Sequence, residues 1–124
     1  MKLDVGLFAR LKSGYICKII NINDFREPNM KYGVEANYLK DVMFIGDDDV
    51  VKASYNIIDI LEKGDYVNGY KVSFIGEDYI HEKFVQCDYP VEVGSTNHYR
   101  FYEKDIYSIV TKEQMEQMAY KVGE

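Results

Sequence analysis

The chain has 124 residues and a formal net charge of −6 at pH 7, and hydrophobic residues make up 47% of it. This length allows one ordinary hydrophobic core or two small ones and argues against a large multidomain enzyme. The balance of apolar and charged residues argues against disorder, and no apolar run approaches the roughly 18 residues that a membrane helix needs. With 12 Tyr, 6 Phe and no Trp, the composition is typical of a β-rich fold or of a binding surface.

Short segments of high β propensity dominate the first half of the sequence. Val5–Phe8 and Tyr15–Ile22 are expected to pair as a hairpin, because Gly14 between them can adopt the left-handed conformation that a tight turn requires. A polar loop around Pro28 follows. Beyond that loop, the predicted strands are residues 33–38, 41–45 and 50–53. The stretch Glu35–Phe44 also fits a helical pattern, and a helix there stays open as an alternative.

The segment Ser54–Val72 is expected to be a hinge between two halves of the chain. Four apolar residues between positions 57 and 61 lie on one side of a short helix that Gly64 can end. The Asn68-Gly69 dipeptide that follows is favoured in a two-residue hairpin turn, because both residues tolerate positive φ. The sequence therefore predicts a short helix that leads directly into a second set of strands.

The second half of the sequence repeats the order of the first. Its predicted strands are residues 70–75, 83–88 and 98–102. Gly64–Val67 is similar to Gly6–Ala9, Gly69–Val72 to Gly14–Cys17, and Asp105–Tyr107 to Asp49–Val51. A glycine, an aromatic residue and a glycine-containing turn recur in the same order, which indicates a structural repeat.

A short helix is expected near the C-terminal end of the sequence. Thr111 and Gln114 are the two ends of a capping box, which predicts a helix over residues 112–118. Met115 and Met118 are three positions apart and are expected on its core-facing side.

These elements define the expected fold class as mainly β, or β-rich α+β. We expect two small, related sheets or partial barrels joined by a short helix, with a short helix at the C-terminus. The expected subdomains are residues 1–54 and residues 55–124, which can also form one compact domain.

Five short strands that begin with Val5-Gly6-Leu7-Phe8 and continue through a glycine-turned hairpin resemble an SH3-like barrel of the KOW type. The chain also resembles a group of small uncharacterised proteins from phages and mobile elements of low-GC Gram-positive bacteria. That resemblance is carried by Asn56–Val72 and by Asp105–Val122, between a quarter and a third of the residues. It implies an origin in such elements, and it assigns no catalytic residue.

The sequence contains few residues that could form a catalytic site. Cys87 is the candidate nucleophile and His81 and His98 are the candidate bases, but alternation places Cys87 on the same strand face as Val85, which is expected to be buried. A buried thiol without a positive neighbour stays protonated and inert. No glycine-rich phosphate loop is present. We therefore expect no catalysis and no cofactor, and a small enzyme of unknown type is the weakest hypothesis.

A metal site is not expected either. Asp47–Asp49 is the densest acidic run, but three consecutive carboxylates point in different directions from a turn and lack the alternating spacing of a calcium loop. The histidines and cysteines do not have the spacing of a zinc site.

The charge distribution leads to the preferred functional hypothesis. Residues 1–54 are neutral overall, and the whole surplus of negative charge lies in residues 55–124. Such a surface repels nucleic acid and suits a basic protein partner. We expect a non-catalytic, cytoplasmic accessory factor, such as an anti-defence inhibitor, that binds a host protein with a basic surface through an acidic, tyrosine-rich face. The candidate contact residues are Asp78, Tyr79, Glu82, Tyr89 and Glu92.

A nucleic-acid-associated module is the alternative to a protein-binding factor. The first predicted hairpin carries three basic residues, Arg10, Lys12 and Lys18, which are the candidate phosphate contacts.

Overall fold

The computed structural model describes residues 3–36, 42–88, 98–119 and 122, and the chain divides into two compact units, Met1–Ile60 and Leu61–Glu124. The first unit contains β1 (Phe8–Leu11), β2 (Ile16–Ile22), β3 (Tyr32–Glu35), β4 (Met43–Ile45) and β5 (Val50–Ser54). The second contains β6 (Tyr66–Val67), β7 (Tyr70–Glu77), β8 (Lys83–Asp88), β9 (His98–Tyr102), β10 (Ile109–Val110) and the helix α1 (Lys112–Met118). The expected mainly β fold class is confirmed.

The five strands of the first unit form one antiparallel sheet in the order β4-β3-β2-β1-β5. Side chains alternate along the strands, so one face supplies a core that includes Ala9, Ile19 and Val34, all with no exposed surface. The 3₁₀ helix Ile57–Ile60 closes this unit, and its Ile58 and Ile60 are buried. Because this helix packs on β1 and β5, it belongs to the first unit, and the division of the chain falls after Ile60 rather than after residue 54.

The second unit has the same strand order. Its sheet runs β10-β6-β7-β8-β9, which places the last strand beside the first as in the preceding unit. Its buried residues include Val67, Val72, Val85 and Cys87. In each unit a 3₁₀ helix, Asp47–Asp49 or Glu103–Asp105, precedes the returning strand. The two sheets are therefore related, as the sequence repeat indicated.

Hydrogen bonds and strand register show which residues of the two units correspond. Gly6 donates its N–H to the Ile19 carbonyl at 2.7 Å, and Gly64 donates to the Val72 carbonyl at 2.9 Å. Val34 pairs with Met43 and Cys87 pairs with Tyr99. The predicted match of Gly64–Val67 to Gly6–Ala9 is confirmed, but that of Gly69–Val72 to Gly14–Cys17 is wrong, because Val72 corresponds to Ile19. Phe8 pairs with Lys18 whereas Tyr66 pairs with Lys71, so the second hairpin is five residues shorter than the first.

Local signals predicted the second hairpin and the helix α1 correctly. Asn68 and Gly69 have φ values of 53° and 88°, which is the geometry that the Asn-Gly dipeptide favours. Thr111 accepts the N–H of Gln114 at its side chain, and the Gln114 side chain accepts the N–H of Thr111 in return. The predicted helix 112–118 is thus confirmed.

Two other predictions about the elements were wrong. The first strand begins at Phe8 rather than Val5, because Gly6 has a φ of 95° and bends the chain before β1. Met115 and Met118 are 38% and 67% exposed, so they do not face a core. The open choice between strand and helix after β3 concerns residues that partly lie outside the described ones, but β4 itself is a strand.

Candidate functional site

The turn between β7 and β8 holds the three sequence-predicted contact residues that the structure describes. Asp78 anchors this turn, because its Oδ1 accepts the backbone N–H groups of Ile80 and Glu82, each at 3.0 Å. The Asp78 side chain thus forms an Asx turn with Ile80. The Asp78 carbonyl also accepts the N–H of His81 at 3.0 Å, so residues 78–81 form a β-turn as well. His81 takes the left-handed conformation with a φ of 65°. The turn is therefore fixed at both ends.

The surroundings of Asp78 also lower the pKa of its carboxyl group. Desolvation raises the pKa of Asp78, but the backbone N–H groups of Glu82 and Ile80 lower it. The Tyr102 hydroxyl and the positive charge of Arg100 lower it further, and the net result is a pKa below the ordinary aspartate value. Asp78 is therefore ionised at neutral pH, and its negative charge strengthens the hydrogen bonds that fix the turn.

Two apolar side chains project from this fixed turn. Tyr79 is 93% exposed and Ile80 is 61% exposed. Exposed carboxylates flank them, with Glu77 and Glu82 on either side, and His81 lies 3.4 Å from Glu77. We call Glu77–Glu82 the acidic turn. It unites Asp78, Tyr79 and Glu82 in one place, whereas the predicted contacts Tyr89 and Glu92 lie outside the described residues.

An aromatic strip lies beside the acidic turn on the outer face of the sheet. The Phe84 ring contacts Phe74 and Tyr102, with ring centroids 6.1 and 6.0 Å apart. The Arg100 guanidinium stacks over Phe84 at 4.0 Å. Phe74 is 53% exposed and lies so close to Gly76 that a β-carbon there would come within 2.6 Å of its ring. Glycine at this position therefore allows the strip to form.

Sequence reasoning did not select the aromatic strip, although a signal for it was present. Alternation in β8 puts Val85 on the core face of the sheet and Phe84 on the solvent face. Phe84 is nonetheless only 4% exposed, because Arg100 and its aromatic neighbours cover it. Cross-strand contacts of this kind depend on register, which one strand's sequence does not specify.

The candidate nucleic-acid contacts do not form one surface. Arg10 is 1% exposed, and its Nη1 donates to the Ile60 carbonyl at 3.1 Å, so it cannot meet a phosphate at the surface. Lys12 and Lys18 are exposed, and Lys18 lies over the Phe8 ring at 5.7 Å. Arg10 therefore has to be corrected from a surface contact to a structural residue, and the basic hairpin loses one of its three cations.

A groove of about 640 Å³ in the first unit is also acidic and tyrosine-lined, but its groups bind one another. Tyr32 donates to Asp47 at 2.7 Å, and Lys31 lies 3.2 Å from Asp24. Asp49 accepts the N–H of Gly46 and so caps the 3₁₀ helix Asp47–Asp49. These carboxylates have structural partners, and among the described residues none form a cluster of three or more potential metal ligands.

Both cysteines are inert thiols in the folded protein. Cys17 and Cys87 are buried, and burial raises the pKa of each to about 11, with the charge of Asp88 adding to the effect at Cys87. At pH 8 only about one molecule in a thousand then carries the thiolate that a nucleophile requires.

We therefore expect the cysteines of the native protein to react with a thiol reagent only as fast as local or global unfolding exposes them. The measurement is the labelling rate with an aromatic disulfide at pH 8, in the absence and presence of denaturant. Cys17→Ser and Cys87→Ser variants assign the rate to each site. Rapid, complete labelling of native Cys87 would contradict this expectation and would restore a cysteine-based enzyme as a hypothesis.

Within the described part of the chain, no helix combines the length and the apolar character needed to cross a bilayer. Comparisons with protein-family models, with curated proteins and with solved structures found no match to this chain.

Proposed function

We propose that the protein is a non-catalytic binding factor and that the acidic turn is the part of the second unit that contacts its partner. The observation that carries this proposal is the exposure of Tyr79 and Ile80, 93% and 61%, on a turn that Asp78 holds in one conformation. Because hydrogen bonds already fix the backbone of this turn, binding has to order only its side chains, so more of their contact energy appears as affinity. Tyrosine in particular is frequent among the residues that dominate interfaces.

The charges around the turn determine the kind of partner. Glu77, Asp78 and Glu82 place three carboxylates within six residues. Lys83 follows Glu82 in the sequence, and the positive charge of Arg100 acts on Asp78. This surplus of negative charge complements a basic protein surface and repels a phosphate backbone. The partner we propose is therefore a protein with lysine and arginine side chains around an apolar pocket that accepts Tyr79.

We also propose SH3-like sheets for the two units, in a cytoplasmic accessory factor of phage or mobile-element origin. In support, each sheet runs as four consecutive antiparallel strands with a fifth beside the first, and a 3₁₀ helix precedes the fifth strand. In that setting, a basic surface that normally binds nucleic acid is a natural target, which makes an anti-defence inhibitor the most specific form of the hypothesis.

The test is capture of a partner from host lysate by immobilised protein, followed by affinity measurement with the purified partner. We expect binding to weaken as salt rises, and Tyr79→Ala to lower the affinity by about 30-fold, the effect of a central interface residue. Tyr107→Ala is the matched control, because Tyr107 lies in the same unit and is 81% exposed. A partner that binds Tyr79→Ala as tightly as the native protein would refute the acidic turn as the site.

A further inference from the structure

The Asn68 side chain joins the turn between β6 and β7 to the segment that leads into β10. Its Nδ2 donates to the Asp105 carbonyl at 2.9 Å, and its Oδ1 accepts the N–H groups of Tyr107 and Ser108 at 2.9 and 3.1 Å. The backbone N–H of Asn68 donates to the Ser108 carbonyl at 2.8 Å. Asn68 is only 8% exposed. Both ends of its side-chain amide are therefore engaged inside the second unit.

The residue after Asn68 makes this amide chemically labile. In an Asn-Gly sequence the glycine backbone nitrogen can attack the asparagine Cγ, because glycine has no side chain to hinder the approach. The new N–Cγ bond closes a succinimide ring, the Cγ–Nδ2 bond breaks, and the side-chain nitrogen leaves as ammonia with the proton of the glycine N–H. Water then adds across one of the two ring C–N bonds and gives aspartate or isoaspartate. The whole reaction consumes water and releases ammonia, with no change in oxidation state.

The folded second unit opposes this reaction. Ring closure requires the Asn68 Cγ to turn toward the Gly69 nitrogen, whereas Oδ1 and Nδ2 are bound to residues 105–108. Turning the side chain breaks all three of these hydrogen bonds, and the backbone of the turn is itself fixed, with φ values of 53° and 88°. The reaction therefore proceeds from molecules in which the unit has opened, and its rate follows their population.

The products do not fit the folded unit. Aspartate keeps an oxygen for the N–H groups of Tyr107 and Ser108, but it has no N–H for the Asp105 carbonyl and places negative charge against that oxygen. Isoaspartate also adds a carbon to the main chain, in a two-residue turn that sets the pairing of Tyr66 with Lys71. A chain that has reacted therefore loses stability in the second unit.

We propose that Asn68 is a site of spontaneous deamidation that the fold of the second unit protects, and that opening of this unit leads to its irreversible modification. The modification needs only water, and it is independent of the proposed binding function. Asn56 provides an internal comparison, because the bulky Ile57 follows it in the sequence and hinders the same attack. The inference thus concerns one asparagine and one unit.

The experiment incubates the full chain at mildly alkaline pH, in buffer and in urea, and follows conversion of each asparagine by peptide mass spectrometry with detection of isoaspartate. A synthetic peptide of residues 64–73 gives the rate without any fold. We expect Asn68 to react in urea as fast as in the peptide and more than about tenfold more slowly in the folded protein. We expect Asn56 to remain unchanged in both.

Two variants test whether opening of the second unit controls the rate. Asp65 accepts the N–H groups of Glu62 and Lys112, so Asp65→Ala removes hydrogen bonds of this unit without touching Asn68. We expect Asp65→Ala to raise the rate at Asn68 in buffer by at least about tenfold, and the surface change Glu62→Gln to leave it nearly unchanged. Equal or faster reaction of Asn68 in the folded native protein, or equal rates in the two variants, overturns protection by the fold. No reaction in urea overturns the site itself.

The effect of the product is measured on Asn68→Asp, with Asn56→Asp as the matched control. Asn56 Oδ1 accepts the N–H of Ile58 at 3.0 Å, and an aspartate oxygen can accept it equally well. We expect the urea midpoint to fall for Asn68→Asp and to stay near native for Asn56→Asp. An Asn68→Asp protein as stable as native would show that the turn tolerates aspartate, which would overturn its loss of stability on deamidation.

Discussion

Replacing Arg10 with alanine is expected to lower the stability of the first unit by about 3 kcal/mol. Arg10 is 1% exposed, and its Nη1 hydrogen bond to the Ile60 carbonyl links β1 to the 3₁₀ helix Ile57–Ile60. The substitution removes a packed side chain and also leaves a carbonyl group without this charged donor. Urea unfolding followed by far-ultraviolet circular dichroism measures the loss.

Two further variants separate the causes of the Arg10 effect. Arg10→Met keeps most of the volume but removes the donor, so it should recover part of the lost stability. Lys18→Ala is the matched surface control, because Lys18 is an exposed cation in the same hairpin and its stacking on Phe8 is worth less than about 1 kcal/mol. If Arg10→Ala were no more harmful than Lys18→Ala, Arg10 would not be a structural residue and would return to the candidate surface contacts.

Arg10 also shows where prediction from the sequence reaches its limit. Within Phe8–Leu11 it is one cation among apolar neighbours, and its residue type favours the surface. Its burial depends on a carbonyl group 50 residues away at Ile60. The exposure of Met115 and Met118 has a similar origin, since periodicity shows that a helix is amphipathic but not whether another element covers its apolar side.

Local geometry was predictable where one or two residues determine it. The Asn68-Gly69 turn and the capping box at Thr111 each depend on the chemistry of neighbouring residues, and both have the expected form. The candidate site was predictable in part. Asp78 and Tyr79 were selected for charge and ring, but the anchoring role of the Asp78 carboxylate comes from its hydrogen bonds in the turn.

The repeat also identifies an equivalent buried position that is apolar in one unit and charged in the other. Asp65 in the second unit is equivalent to Leu7 in the first. The carbonyl of Leu7 accepts the N–H of Ile19, and the carbonyl of Asp65 accepts the N–H of Val72 in the same way. Both residues are buried, but Leu7 joins the apolar core, whereas Asp65 is a carboxylate with no exposed surface. A buried carboxylate is tolerated only when hydrogen bonds compensate for the loss of water.

Those hydrogen bonds make Asp65→Ala the second change for which we expect a large effect. Asp65 Oδ2 accepts the N–H of Glu62 at 2.7 Å, and Oδ1 accepts the N–H of Lys112 at 2.9 Å. One carboxylate therefore joins the turn before β6 to the first residue of α1, where the helix dipole favours negative charge. Alanine would leave two backbone donors without this acceptor, which costs about 1–3 kcal/mol for each, so we expect a total loss of about 3 kcal/mol.

Glu62→Gln provides the control for Asp65→Ala, because it changes the same turn and the same helix end without touching the buried carboxylate. It breaks the 2.7 Å ion pair between Glu62 and Lys112, whose side chains are partly exposed, so it should cost less than about 1 kcal/mol. Hydrogen exchange at the amides of Lys112 and Met115 measures how far each variant loosens α1. Equal exchange in Asp65→Ala and Glu62→Gln would show that the surface ion pair, and not Asp65, holds the helix to its unit.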